Sequence, residues 1–239
     1  MGPAQQGEAT FGYRCVCGEP MVIDPIYAGR LVVCGRCNTP VLLPVNDGDP
    51  AAELKPELHL RTQRLRLDPA RRDDAKMLLP ITSDAENYSY ETSQPDTPRS
   101  LRLSLSQSRF PAGFRKYLTL RFVATRDCDN EAIGLLHLQL ERDHLTASLG
   151  IMIHHPFQGM GFGGECVDAA VRFCFNTLKL FRLSAACDPK NEASVQLFRS
   201  AGFDEEGCLR QWMRHPQRGW IDCKLFAKFP SGEGLRNPP

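Results

Sequence analysis

Residues 154–167 read HHPFQGMGFGGECV and run directly into DAAVRFCFNTL (168–178), and this junction decides the fold. Val167, Ala170, Val171, Cys174, Phe175 and Leu178 recur at helical spacing, so a helix opens straight after the glycines. The segment before them, TASLGIMIH (146–154), is an apolar strand. A helix amino terminus leaves its first amide groups without intrahelical partners and carries partial positive charge, which makes it an anion site. Gly159, Gly161, Gly163 and Gly164 carry no side chains that would hold an anion away from those donors. The expected ligand is a phosphate or pyrophosphate.

Two known arrangements use this physics. Gly159, Gly161 and Gly164 spell GxGxxG, and the strand RLSAACD (182–188) ends on Asp188, where a dinucleotide fold places its ribose-binding acid. Such a fold continues through further βα units, whereas only one helix and a closing hairpin remain here. The preceding segments YLTLRFVATR, AIGLLHLQLER and TASLGIMIH are joined by the short loops DCDN and RDHL, the grammar of antiparallel neighbours. The dinucleotide arrangement therefore disagrees with its own surroundings. The second pattern includes Gln158 and reads QxxGxG over Gln158, Gly161 and Gly163.

With that pattern, residues 58–229 resemble the GNAT acyltransferase superfamily, most closely the branch that acetylates ribosomal-protein amino termini. The resemblance rests on RTQRLRL (61–67), QGMGFGGECVDAAVRFCF (158–175), LFRLSAACD (180–188), NEASVQLFRSAGF (191–203) and GWIDCKLFAKF (219–229), in that order. It implies an α/β (α+β) fold with a mixed, largely antiparallel twisted sheet flanked by helices. It also implies acetyl-CoA as cosubstrate, with its pyrophosphate on the backbone of Gln158, Gly159, Met160, Gly161, Phe162, Gly163 and Gly164. The strand TASLGIMIH would part from the parallel strand RLSAACD to admit the pantetheine arm. Amides of Ile151, Met152 and Ile153 would then face the thioester and its oxyanion. By the same resemblance Asn191 contacts the pantetheine, and Ser194 is the catalytic hydroxyl near the thioester sulfur. Asn191 also stands where a helix N-cap is expected, before a helix of about ten residues that ends at Gly202. Seven residues beyond Asn191, where many such enzymes carry a tyrosine acid, this chain has Phe198, which has no proton to give, so Ser194, Cys187 or a bound water takes that task or the thiolate leaves unassisted.

Working outward, LHLRTQRLRL (58–67) alternates as a half-buried strand through Leu58, Leu60, Leu65 and Leu67. Its arginines lack interleaved aromatics and read as an exposed face rather than a nucleic-acid patch. ENYSYETSQPDTP (86–98) reads as irregular, with Thr97 and Pro98 as N-cap and first residue of a helix carrying Leu101 and Leu105. Residues 84–116 and the closing hairpin are expected to build the acceptor pocket. Glu141, His137, His154 and Glu206 are candidate bases, none singled out by spacing. His154 and His155, adjacent on a strand, point to opposite faces and do not form a joint metal site.

The amino-terminal region has a different grammar. Cys15 and Cys17, then sixteen intervening residues, then Cys34 and Cys37 give CxC and CxxC pairs among the short apolar runs MVI, LVV and VLL. Residues 11–45 are expected to form a small all-β zinc ribbon, with these four thiolates on a structural Zn2+ that replaces a core too small to fold alone. Residues 46–57 form a linker rich in acidic residues and proline, residues 58–230 form the acyltransferase domain, and residues 231–239 a flexible tail. The six other cysteines are scattered singly and read as packed thiols.

The formal net charge of +1 gives no global attraction to polyanions. No apolar run approaches a bilayer span, and MGPAQQGEATFGYR lacks a signal-peptide core, so a cytoplasmic, non-membrane protein is expected. Two functions follow. One is an acetyl-CoA-dependent N-acetyltransferase acting on a primary amine, a protein amino terminus above all, with the ribbon docking substrate or partner. The other is a ribbon-based binding module for protein or nucleic acid on an inactive acyl-CoA-binding scaffold.

Overall fold

The computed structural model describes residues 11–14, 19–23, 31–33, 36, 40–42, 59–106, 117–141 and 146–231. The chain divides into two compact units, Met1–Leu58 and His59–Pro239. In the first, β1 (Phe11–Arg14) pairs antiparallel with β2 (Pro20–Ile23), and β3 (Leu31–Val33) pairs antiparallel with β4 (Pro40–Leu42). Arg36 meets Glu19 at 3.5 Å. The expected metal ligands Cys15, Cys17, Cys34 and Cys37 lie outside the described residues, as do most of the linker and residues 232–239.

The second unit holds β5 (Leu60–Arg61), β6 (Leu65–Pro69), α1 (Ala75–Thr82), α2 (Pro98–Ser106), β7 (Tyr117–Arg126), β8 (Ala132–Glu141) and β9 (Thr146–Ile153). It continues with α3 (Phe162–Arg172), β10 (Arg182–Cys187), α4 (Glu192–Ser200), β11 (Asp204–His215) and β12 (Gly219–Lys228). All eight strands form one sheet in the order β11-β12-β10-β9-β8-β7-β6-β5. Every neighbouring pair is antiparallel except β9 and β10. This is the mixed, mainly antiparallel fold that the sequence implies.

Alternation sorts side chains to the two faces. Leu136 and Leu138 of β8, Phe122 of β7, Leu149 of β9, Ala185 of β10 and Phe226 of β12 share one face, since cross-strand partners share a face. Phe173, just past α3, meets Phe122 edge-on with ring centroids 5.9 Å apart, and Phe198 of α4 packs on Phe226 at 5.5 Å. The opposite face carries Val123, Leu135 and Met152, against which Leu78, Ile81, Leu101 and Leu105 of α1 and α2 pack. The core is therefore two-sided, as a sheet flanked by helices requires.

LHLRTQRLRL differs from the single strand its alternation predicts. The chain turns at Thr62–Arg64, where the Thr62 hydroxyl accepts from the Leu65 amide at 2.8 Å, so β5 and β6 form a hairpin. A threonine side chain that satisfies its own turn competes with the ladder. Thr97 does cap α2: its hydroxyl accepts from the Ser100 amide at 3.1 Å.

Gly134 of β8 is buried, and a Cβ there would lie 2.6 Å from the Met152 carbonyl oxygen and 2.8 Å from Ile153 Cδ1. Backbone cannot yield as a flexible side chain does. Gly134→Ala should push the end of β9 outward and destabilise the domain by about 1–3 kcal/mol. Thermal unfolding followed by circular dichroism should then show a midpoint lowered by roughly 2–4 °C per kcal/mol for a domain of this size. An unchanged midpoint would show that β9 shifts freely there.

Candidate active site

Residues from β9, the loop after it, α3, α4 and the α1–α2 connection line a cavity of about 920 Å3. Its floor follows from the strand pairing. β9 and β10 run in register from Thr146 and Arg182 to Leu149 and Ala185, and no pair is formed beyond that point. The His154 amide donates to the Ile133 carbonyl of β8 at 2.8 Å, and main-chain direction alternates along a strand. Met152 therefore directs its amide back to β8, while the amides of Ile151 and Ile153 face the gap left by β10. Of the three residues expected at the thioester, all line the cavity, but only Ile151 and Ile153 aim an N–H into the gap.

Gln158 fixes this end of β9. Its side-chain Nε2 donates to the Ile153 carbonyl at 2.9 Å and lies 3.3 Å from Asn87 Oδ1, tying the loop to the α1–α2 connection. Gly159 and Gly161 have φ of +75° and +83°, a region costly for residues with a side chain, and they turn the chain into α3. Gly161 is the N-cap and no side chain caps the helix, so the first amides of α3 stay free. A Cβ added at Gly159 or Gly164 meets no heavy atom within 4 Å, and both residues line the cavity. Bare amides thus border a space sized for a ligand, which fits a pyrophosphate. Met160 and Phe162 can offer only backbone: the Met160 side chain is exposed, and Phe162 is buried beneath Arg64 with the guanidinium carbon 4.2 Å from its ring centre.

Arg64 is a residue the sequence did not single out. From the β5–β6 turn its Nη2 donates to the Met160 carbonyl at 2.9 Å and its Nε to Glu165 at 2.5 Å, while Glu165 also accepts from the Thr62 hydroxyl at 2.5 Å. Burial pushes the Glu165 carboxyl up, but hydrogen bonds from Thr62 and Arg64 outweigh it and hold the carboxyl below its ordinary value. This network turns the Met160 carbonyl toward Arg64. A carbonyl aimed at a phosphate would repel it, so Arg64 keeps the loop hospitable to anions.

Asn191 is the N-cap of α4: its Oδ1 accepts from the Ser194 amide at 3.0 Å, leaving its side-chain NH2 for the cavity it lines. Ser194, one turn on, is half-buried at the same wall. Phe198 is elsewhere. It is buried against Phe203 and Phe226, each at 5.5 Å, so its lack of a proton has no bearing on the cavity.

The four candidate bases do not converge. Glu206 is held by both terminal nitrogens of Arg182, and Glu141 pairs with Thr146 at the far end of β9. His137 lies opposite Gly150 in mid-sheet, and His154 Nε2 is 3.6 Å from Asp84. None of them lines the cavity. Glu86, Asn87, Tyr90 and Glu91, from the stretch that reads as irregular, do. Asp188, the would-be ribose acid, is buried, with one oxygen bound to Arg218 and the other to the Lys190 amide, and it does not line the cavity.

Residues 64–204 match the family described as Acetyltransferase (GNAT) domain. An uncharacterised N-acetyltransferase of Bacillus licheniformis, p20, is 27% identical over 169 residues, covering 70% of this chain and 94% of that protein. The fold is similar to that of the ribosomal-protein-S5-alanine acetyltransferase from Vibrio fischeri, with a TM-score of 0.64 at 18% identity over 75% of this chain and all of the other. It is also similar to the spermidine N-acetyltransferase from Vibrio cholerae in complex with CoA and spermine, with a TM-score of 0.60 at 22% identity over 70% of this chain and 95% of that one. With the parted strands and the glycine loop at the helix amino terminus, these matches make the chain a member of the GNAT family of N-acetyltransferases.

Proposed function

We propose that the protein transfers the acetyl group of acetyl-CoA to a primary amine, with a protein amino terminus as the acceptor. The observation that carries this is the gap between β9 and β10 beside the amides of Gly159 to Gly164 at the uncapped start of α3, the Gln158 amide itself being taken by the His155 carbonyl at 3.1 Å. In this reading the loop holds the pyrophosphate and the Asn191 NH2 contacts the pantetheine. The Ile151 and Ile153 amides are aimed at the carbonyl oxygen that gains charge as the amine adds. Ser194 passes a proton to the departing thiolate; its hydroxyl has no protein partner among the described residues. An α-amino group, with a pKa near 8, is partly neutral at physiological pH, whereas a lysine near 10.4 is not, which favours an amino-terminal acceptor. The names of the two solved relatives, one for a ribosomal-protein alanine and one for spermidine, bracket the acceptor class. The inactive-scaffold alternative loses its main support, since Phe198 belongs to the core. The test is calorimetry with CoA, then mass spectrometry of peptides with free amino termini and of spermidine after incubation with acetyl-CoA. Absence of CoA binding would sink the reading, and acetylated spermidine without acetylated peptide would replace the acceptor.

We further propose that the amino-terminal unit holds a structural metal. Cys15 and Cys17 fall in sequence between β1 and β2, and Cys34 and Cys37 between β3 and β4, so each hairpin connection supplies one pair. The ion pair from Glu19 to Arg36 ties the end of one connection to the other. Four such thiols suit a tetrahedral Zn2+, and the ribbon so formed would dock the acceptor protein or a nucleic-acid partner. One zinc per chain is expected by elemental analysis. Strong chelation should make residues 11–45 protease-sensitive while leaving CoA affinity unchanged; full resistance without metal would remove the site. Cys166, Cys174, Cys187 and Cys223 are free and buried, which suits a cytoplasmic location, and no helix among the described residues is long and apolar enough to cross a membrane.

A further inference from the structure

Two carboxylates line the cavity, and they differ. Glu86 is 2.8 Å from His155 Nδ1, whereas Glu91 has no cationic partner among the described residues. Glu91 is half-buried in the α1–α2 connection, in the cavity that also holds Ile151, Ile153 and Ser194. A carboxylate withdrawn from water without a counter-ion is unfavourable, so this arrangement leaves a place for a cation from outside the chain. An acceptor amine, charged in solution, is that cation.

We propose that Glu91 is the general base of the reaction, receiving the acceptor's ammonium beside the thioester site and taking its proton. The proposal rests on the acetyl-transfer reading above. The step balances: one N–H bond of the ammonium breaks and the proton moves to the Glu91 carboxylate, freeing the nitrogen lone pair. That lone pair forms the C–N bond, the C–S bond breaks, and the second nitrogen proton passes to the thiolate through the Ser194 hydroxyl, which gives up one proton and takes back another. Glu91 then returns its proton to solvent.

The surroundings suit this role. Burial pushes the Glu91 carboxyl up, toward the range where a base works best near neutral pH. Among the charged and titratable groups of this region, Tyr88 of the same connection feels both Glu91 and Asp96, the Glu86–His155 pair lines the same cavity, and Arg218 of the β11–β12 turn packs on the neighbouring Tyr90. Arg218 lies 5.6 Å from the centre of the Tyr90 ring. Burial, with Asp96 and Glu91 nearby, pushes the Tyr88 hydroxyl up to about 12, so Tyr88 stays neutral while Glu91 titrates.

The experiment follows thiol release from acetyl-CoA with two probes, spermidine and an alanine-initiated hexapeptide with a free amino terminus. With the probe that is turned over, Glu91→Gln should lower kcat about 100-fold near neutral pH and keep CoA affinity by calorimetry within about twofold. Its rate should climb with pH toward the amine's own pKa, whereas the unsubstituted enzyme levels off once Glu91 is ionised. Glu91→Asp should restore the levelling. Unchanged rates in Glu91→Gln across the pH range overturn the base while leaving acetyl transfer intact. Parallel loss of CoA affinity and melting temperature overturns it in favour of a structural role. No thiol release from the unsubstituted protein with either probe overturns the base together with the amine-acceptor reading, and no affinity for CoA overturns the cofactor site itself.

Discussion

Gly164→Leu is expected to lower the affinity for CoA about 100-fold while leaving the melting temperature unchanged or raised. Gly164 is the third residue of α3, in ordinary helical geometry, and glycine is worse than leucine in a helix by up to about 1 kcal/mol. A Cβ there touches nothing within 4 Å, so the fold accommodates the larger side chain. Helical side chains lean toward the amino terminus, which sets the leucine over the free amides at the mouth of α3. A pyrophosphate displaced from two such donors loses about 1.5–3 kcal/mol for each charge-assisted bond, and about 3 kcal/mol in all is roughly a hundredfold. Calorimetry with CoA and thermal unfolding in its absence give the two readouts. Their opposite signs are the test, because a merely damaged protein would lose both. Tight CoA binding by this variant would place the diphosphate elsewhere and remove the basis for every assignment at the loop.

The side of this cavity built by β9, the loop after it and the starts of α3 and α4 was legible in sequence, and the side built by the α1–α2 connection was not, for reasons that individual residues make plain. Gly159 and Gly161 adopt φ values closed to most residues, so their spacing encodes a backbone shape directly. Gln158 is demanded by one local carbonyl, that of Ile153, only five residues away. Val167, Ala170 and Cys174 announce α3 through their period, and Asn191 announces α4 as its cap. Glu91, by contrast, lies in a connection with no period, and its meaning comes from what surrounds it after folding. Arg64 is as hard to read: a basic residue after a strand looks like solvent-facing charge, and its partners Met160 and Glu165 are about a hundred residues away. The one signal was Thr62, whose hydroxyl ends a strand that hydrophobic alternation alone would continue. Phe198 shows the converse, since a position matched to a family pattern can still turn its side chain into the core.

Asp188→Asn should lower the melting temperature by roughly 6–12 °C while leaving CoA affinity within about twofold. The Asp188 side chain is buried just past β10 and accepts from the Lys190 amide at 2.9 Å and from Arg218 Nη2. Arg218 belongs to the β11–β12 turn, which His215 orders by accepting the Gln217 and Arg218 amides on Nδ1 at 3.1 and 3.2 Å. The ion pair is therefore a bolt between the central parallel strand and the closing hairpin. An asparagine keeps an acceptor for Lys190 but leaves the half-buried guanidinium without its counter-charge, and breaking one side of such a pair costs about 3 kcal/mol. Each kcal/mol moves the midpoint by about 2–4 °C in a domain of this size. Because the carboxylate is buried, added salt should change the effect little. Arg218→Gln alone should destabilise similarly, and the double variant should lose little more than either, since the two share one interaction. The dinucleotide alternative makes the reverse prediction. If Asp188 held a ribose, its substitution would weaken nucleotide binding and spare the fold, so thermal unfolding and calorimetry on this one variant separate the two architectures.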